Sequence, residues 1–205
     1  EGDQVDTGFG ELSDSAGDED DLEIEGFDDA DVFAEDSDLA IDPHYWLTVP
    51  NAQQIAATIA RRLQDIDPAN TDYYQNNLTN YINQLDLLEK ELQQQAAQAK
   101  MRQFIPIHNA WSYFAAQYGF DVIATWEPGE DQKPSLADIT RLQKLIGEYK
   151  LTNFYTEPQT TSGATIRFVR DDLGLIIKVL DPIGGSAEAN SYIKMMRANM
   201  SALTS

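Results

Sequence analysis

The sequence predicts an α/β protein: a mainly parallel sheet flanked by helices in the C-terminal part, preceded by a long lobe-bridging helix and a disordered acidic N-terminal segment. Three observations carry this. Beyond residue 100, short apolar runs alternate with helical patterns, as the crossovers of a parallel sheet require. Before that, Tyr74, Leu78, Tyr81, Leu85, Leu88 and Leu92 recur at alternating steps of four and three, which is the stripe of a long amphipathic helix. At the start, residues 1–42 hold 18 of the 35 acidic residues in the 205-residue chain, and no basic residue precedes Arg61.

Residues 1–41 are rich in Asp, Glu, Gly and Ser and too poor in apolar groups to offset their chain entropy, which predicts disorder. A solvating linker is the plain reading of such a run; a loop that loosely attracts cations is the functional one. Order is expected from Ile41, in the aromatic segment Asp42-Pro43-His44-Tyr45-Trp46-Leu47. Pro50 suits the first turn of a helix, with Ile55, Ile59, Leu63, Ala52, Ala56 and Ala60 on one stripe. Asp67-Pro68 reads as a cap and first position for the long helix, which over about Pro68–Gln98 would span roughly 45 Å.

Strands are expected at Phe104–Ile107, Val122–Thr125, Asn153–Thr156 and Leu175–Leu180. Helices are expected at Ala110–Tyr118, Ser135–Tyr149, about Gly163–Leu173 and around Ile193, Met196, Met200 and Leu203. Ser135 with Asp138 makes a capping box, and Gly119 and Gly174 stand where helices should end. Pro106 inside the first strand is awkward, since it removes a ladder donor. Met195, Met196 and Met200 are expected in the core.

Composition removes several classes of function. The net charge of −21 belongs to the N-terminal tail, because residues 43–205 carry 17 acids against 14 Lys and Arg. Such a chain repels phosphate backbones and anionic membrane surfaces, so nucleic acid is not an expected partner. With no cysteine there is neither a disulfide nor a thiolate metal site. No run of about 18 apolar residues is present to span a bilayer. Nor does the sequence open with a basic region followed by an apolar one; either the protein is cytoplasmic or the chain begins downstream of an export signal.

The two histidines can be weighed singly. His108 follows the first expected strand, Glu157 the third and Asp181 the fourth, and ligands of open parallel sheets bind at the carboxyl ends of strands. Three potential ligands ending three strands, one an imidazole, point to a metal or acid–base site. His44 lies far upstream, with Asp42 placed to accept its other ring N–H and set its tautomer. The bland readings stand beside these: a half-buried structural imidazole for His44, an inter-loop carboxylate for Glu157 and a turn former before Pro182 for Asp181.

The same residues resemble a family. Asp42-Pro43-His44-Tyr45-Trp46-Leu47, Asp67-Pro68-Ala69-Asn70 and Tyr73-Tyr74-Gln75-Asn76-Asn77-Leu78 look like segments of the zinc and manganese ABC-importer solute-binding proteins. So do His108-Asn109-Ala110-Trp111-Ser112-Tyr113-Phe114, Glu157-Pro158-Gln159, Leu180-Asp181-Pro182 and Met196-Arg197-Ala198-Asn199-Met200, in that order. The resemblance implies two lobes joined by one rigid helix, with the metal held between them. It implies His44, His108 and Asp181 as metal ligands, with Asp42 and Glu157 in support. A histidine at position 108 matches the zinc-type members, and imidazole suits zinc where oxygen ligands suit manganese.

Where the resemblance applies, the chain divides into an acidic segment 1–41, a remnant of an N-terminal lobe 42–67, a linking helix 68–99 and a C-terminal α/β lobe 100–205. The expected protein is a monomeric, non-catalytic binder of zinc, or alternatively manganese or iron, that serves an ABC permease from the periplasm or from an extracytoplasmic membrane anchor. Its affinity should fall below about pH 6, because ligating imidazoles must be deprotonated. Family members carry a further histidine ligand in a whole first lobe, so the chain is expected to be a fragment or processed form. Two rivals from other classes are a metal-dependent hydrolase using His108, Glu157 and Asp181, and an interaction protein whose acidic tail recruits a basic partner.

Overall fold

In the computed structural model, which describes residues 42–127, 134–159, 163–186 and 189–205, the described residues open on a single 3-10 turn, Tyr45–Leu47. The acidic segment expected to be disordered lies outside the described residues. Helix α1 runs Val49–Ile66, started by Thr48, whose side chain accepts from the Asn51 N–H, and by Pro50 in the first turn. The long helix α2 is Thr71–Ala97. Its expected start is corrected: Pro68–Asn70 forms a 3-10 turn, and Asp67 does not cap it with its side chain. The Asp67 carboxylate instead accepts from the Asn70 amide at 2.9 Å and the Tyr74 hydroxyl at 2.8 Å, holding the corner between α1 and α2.

The stripe on α2 sinks into the core along its C-terminal half, where Leu85, Leu88 and Leu92 are fully buried. There it packs on the final helix α6, Tyr192–Thr204, and Glu91 pairs with Arg197 at 2.8 Å. Met195, Met196 and Met200 of α6 lie in that core. At the far end of the hairpin the apolar stripe of α1 is not fully covered: Ile59 is 54 % exposed. There α1 packs chiefly on α2 alone.

Four short parallel strands follow: β1 Gln103–Phe104, β2 Asp121–Val122, β3 Asn153–Thr156 and β4 Ile176–Val179. β1 pairs with β2 and β3 with β4. A bridge at Pro106↔Tyr155 joins the two pairs, with Ile107 N–H donating to Tyr155 O at 2.7 Å and Tyr155 N–H to Ile105 O at 3.1 Å. The order across the sheet is therefore β2-β1-β3-β4. β1 is shorter than the expected Phe104–Ile107 because the donor that Pro106 lacks falls on the β2 side, where regular pairing stops at Phe104↔Val122.

Neighbouring strand residues alternate between two cores. Phe104 and Tyr155 face the one built with α2, α6 and α3 (Ser112–Tyr118), where Trp111 and Phe114 are buried. Ile105 and Phe154 face the other, with Trp126, with Leu142 of α4 (Leu136–Tyr149) and with Phe168 just after α5 (Gly163–Arg167). Helices thus cover both faces, which is the three-layer arrangement a parallel sheet needs. The expected helix to Leu173 is α only to Arg167, and Phe168–Asp172 continues as a wider π turn. Ser135 and Asp138 form the expected reciprocal cap on α4, and Gly119 closes α3 at φ 73°. Among the described residues no helix is long and apolar enough to cross a membrane.

Candidate metal centre

Parallel strands aligned in one direction bring the segments that follow β1, β3 and β4 to one edge of the sheet. His108 leaves β1 there, Glu157 directly follows β3, and Asp181 follows β4 after Leu180. Glu157 and Asp181 are buried, at 3 % and 5 % exposure. His44 reaches the same edge from the first described segment. Its segment is pinned there by two bonds that span most of the sequence: Trp46 Nε1–H to Pro182 O at 2.8 Å, and the Tyr192 hydroxyl to Trp46 O at 2.9 Å.

The two imidazoles meet edge to face, with ring centroids 4.9 Å apart and planes at 84°. Each has its Nδ1 bonded to a carboxylate: His44 to Asp42 at 2.8 Å and His108 to Glu157 at 3.2 Å. A carboxylate is acceptor only, so Nδ1 carries the proton in each neutral ring and Nε2 keeps its lone pair. Both rings line one open pocket of about 310 Å³, together with Trp46, Glu127, Gln159 and Ile183.

The carboxylates differ in electrostatics. Burial pushes the Glu157 carboxyl above the ordinary glutamate value, with His108 pulling against it. For Asp42 burial acts the same way, but the His44 backbone N–H and ring together outweigh it and hold the carboxyl below the ordinary aspartate value. Asp42 Oδ1 accepts both of those groups, the backbone N–H at 2.9 Å.

Asp181 is built into its turn more tightly than sequence spacing conveys. Its Oδ1 accepts from Gly184 N–H at 2.7 Å, Ile183 N–H at 3.1 Å and the Gln159 amide at 3.1 Å. Its Oδ2 is buried without a hydrogen-bond partner among the described residues. Gly184 permits the turn: at φ 84°, a Cβ there would lie 2.9 Å from Ala189 O. The buried Asn199 side chain of α6 clamps the Asp181 backbone at both its N–H and its carbonyl, each at 2.8 Å.

His44 and His108 are therefore brought together, with Asp42 and Glu157 each behind one of them. Asp181 stands at the same sheet edge but turns one oxygen into its own loop. Among the described residues no group of three or more His, Asp or Glu side chains is placed to hold a metal ion. Site-forming residues that spacing did not single out are Trp46, Gln159, Asn199 and Glu127. Gln159 shares the turn after β3 with Glu157. Nothing local marks Asn199 or Glu127, which act across 18 residues of sequence each.

The model of the family described as zinc-uptake complex component A, periplasmic, matches residues 2–205. The high-affinity zinc uptake system protein ZnuA of Bacillus subtilis is 30% identical over 169 residues, covering 80% of this chain and 53% of that protein. The manganese-binding lipoprotein MntA of Halalkalibacterium halodurans is 30% identical over 178 residues, covering 83% of this chain and 58% of the relative. The chain thus spans about half the length of these curated relatives. Among solved structures, the metal-dependent lipoprotein YcdH of Bacillus subtilis superposes with a TM-score of 0.72 at 29% identity, over 85% of this chain and 67% of that one. The Zn(II)-bound ZnuA-like domain of Streptococcus pneumoniae AdcA does so at 0.70 and 28%, over 80% and 63% of the two chains. Matched by the family model over residues 2–205, this chain belongs to the family of zinc-uptake complex component A proteins.

Proposed function

We propose that the chain captures a divalent transition metal, zinc before manganese, through His44, His108 and Asp181, and hands it to an ABC permease from outside the cytoplasmic membrane. The observation that carries this reading is the edge-to-face pair of imidazoles, 4.9 Å apart, each oriented by its own carboxylate. Two neutral imidazoles with free Nε2 lone pairs are a borderline-soft donor set that favours zinc over manganese or calcium. The buried, unpartnered Asp181 Oδ2 is the natural third donor, since a carboxylate oxygen with no hydrogen bond is costly unless a cation meets it.

The residues divide the work. His44 and His108 bind; Asp42 and Glu157 hold the tautomers and turn the rings; Gln159 and the Gly184 N–H keep Asp181 Oδ1 occupied so that Oδ2 is the free oxygen. The cation is cargo, and no reaction is performed on a bound substrate. Extracytoplasmic location is supported by the words periplasmic in the family description and lipoprotein in the name of the relative, and docking on a permease by the description of the family as a component of a zinc-uptake complex. MntA, named as manganese-binding, supports manganese as the second cargo on the same donors.

Calorimetric titration of the 205-residue chain with zinc, with manganese in competition, tests the reading. Zinc should bind at submicromolar Kd and outcompete manganese. His108→Ala should remove most of the affinity. Failure of both metals to bind tighter than micromolar overturns the transport reading, and unchanged binding by His108→Ala removes that residue from the site.

A further inference from the structure

Of the acidic side chains facing the imidazole pocket, Glu127 alone has been given no role in binding the metal or orienting a ring. It follows β2 on the rim, exposed, and its Oε1 accepts the backbone N–H of Asn109 at 2.6 Å. This is a short, charge-assisted bond to the residue next to His108.

The sheet order gives the contact its meaning. β1 lies between β2 and β3, so the turn carrying His108 is flanked by the chain leaving each neighbour. From the β3 side Glu157 takes the His108 ring at Nδ1, and Tyr155 O takes the Ile107 N–H. From the β2 side Glu127 takes the Asn109 N–H. The next N–H, of Ala110, closes the turn on His108 O at 2.9 Å. Glu157 thus sets how the imidazole is rotated, and Glu127 sets where its backbone stands. Without Glu127 the Asn109 N–H would face water, and His108 would hang from β1 with one side of its turn unanchored.

We infer that Glu127 is a positioning residue of the metal site: by accepting the Asn109 N–H it locks the turn that presents His108 Nε2 to the cation. This rests on the metal-capture reading above. It gives the carboxylate no place among the ligands, and therefore predicts that glutamine, which keeps the acceptor oxygen and drops the charge, can replace it.

Two measurements on the intact chain, Glu127→Ala and Glu127→Gln test this. Amide exchange by NMR in metal-free protein reads the anchor directly. The Asn109 N–H should exchange slowly in the parent and in Glu127→Gln, and about tenfold faster in Glu127→Ala, the factor one net hydrogen bond supplies. Zinc titration should follow the same order. Glu127→Ala should lose about tenfold in affinity, the low end for a group supporting a ligand, while Glu127→Gln stays close to the parent.

Equal Asn109 exchange in parent and Glu127→Ala overturns the anchor. Zinc bound equally by those two proteins overturns the positioning role and leaves metal capture standing. Loss of affinity in Glu127→Gln with Asn109 still protected makes the charge the active feature and overturns the inference too. A parent chain that binds no zinc overturns metal capture itself, and the positioning role with it.

Discussion

Replacing Glu157 by Gln should weaken metal binding while leaving the metal-free fold as stable or more so. The residue is 3 % exposed, with His108 Nδ1 at 3.2 Å as the group it orients. Removing the charge leaves His108 Nδ1 only an amide oxygen or an amide NH2 to face, which weakens the hold on its tautomer and lowers the basicity the carboxylate lends the ring toward a cation. Losses of this kind run to about 10- to 100-fold in metal affinity, which is about 1.4–2.8 kcal/mol. Stability should move the other way, because burial holds the Glu157 carboxyl above the ordinary glutamate value even with His108 nearby.

For an acid whose folded pKa is raised, the favourable contribution to folding is complete below the unfolded value and is lost as pH rises through the folded one. Glu157→Gln should therefore match the parent in acid below the glutamate range and gain on it toward neutral pH. Zinc calorimetry, with thermal melts of metal-free protein from about pH 3 to about pH 8, reads both signs (the range brackets the ordinary carboxylate and imidazole values). Unchanged zinc affinity would refute the orienting role. A Glu157→Gln protein less stable than the parent at neutral pH would refute the burial argument.

Two further outcomes follow from the same structure. Asp42→Asn should lower zinc affinity by about tenfold in the same titration, since it removes the charge from the acceptor of His44 Nδ1. Because His44 holds Asp42 below the ordinary aspartate value, the support Asp42 lends to folding is present above that value and disappears as pH falls through the lowered one. Ser135→Ala removes the Oγ that accepts Asp138 N–H at 3.0 Å and should cost about 1 kcal/mol, a fall in Tm of about 2–4 °C. Ser135, by side chain and then backbone, holds the Asp138 carboxyl low, so that stabilisation is complete above the ordinary aspartate range and lost in acid. The Tm difference between Ser135→Ala and parent should narrow there.

Much of the arrangement of the candidate site is legible in the sequence, and for identifiable reasons. Short apolar runs separated by helical patterns imply parallel strands, and parallel strands put their following residues at one edge. That placed His108, Glu157 and Asp181 together. Asp42 beside His44 was legible because the two are neighbours in sequence. The capping box at Ser135 and the helix end at Gly119 are local in the same way. Local rules failed where two patterns competed. Asp67-Pro68 has the residues of a helix cap, yet the Tyr74 hydroxyl one helical stretch later claims the carboxylate. The α1 stripe has helical periodicity, yet periodicity cannot say whether a partner covers it, and Ile59 stays exposed.

By itself the sequence determined the elements, the direction of the strands, and which residue types end them, since helix and strand periods, caps and crossover handedness act over a few residues. Only the tertiary structure decided that His44 stands against His108, that Glu157 turns the His108 ring, that Asn199 grips Asp181 and that Glu127 anchors Asn109. Those pairings join positions far apart in the chain. They come from how the layers pack and how the strands are ordered, β2-β1-β3-β4, and no short window of sequence carries that order.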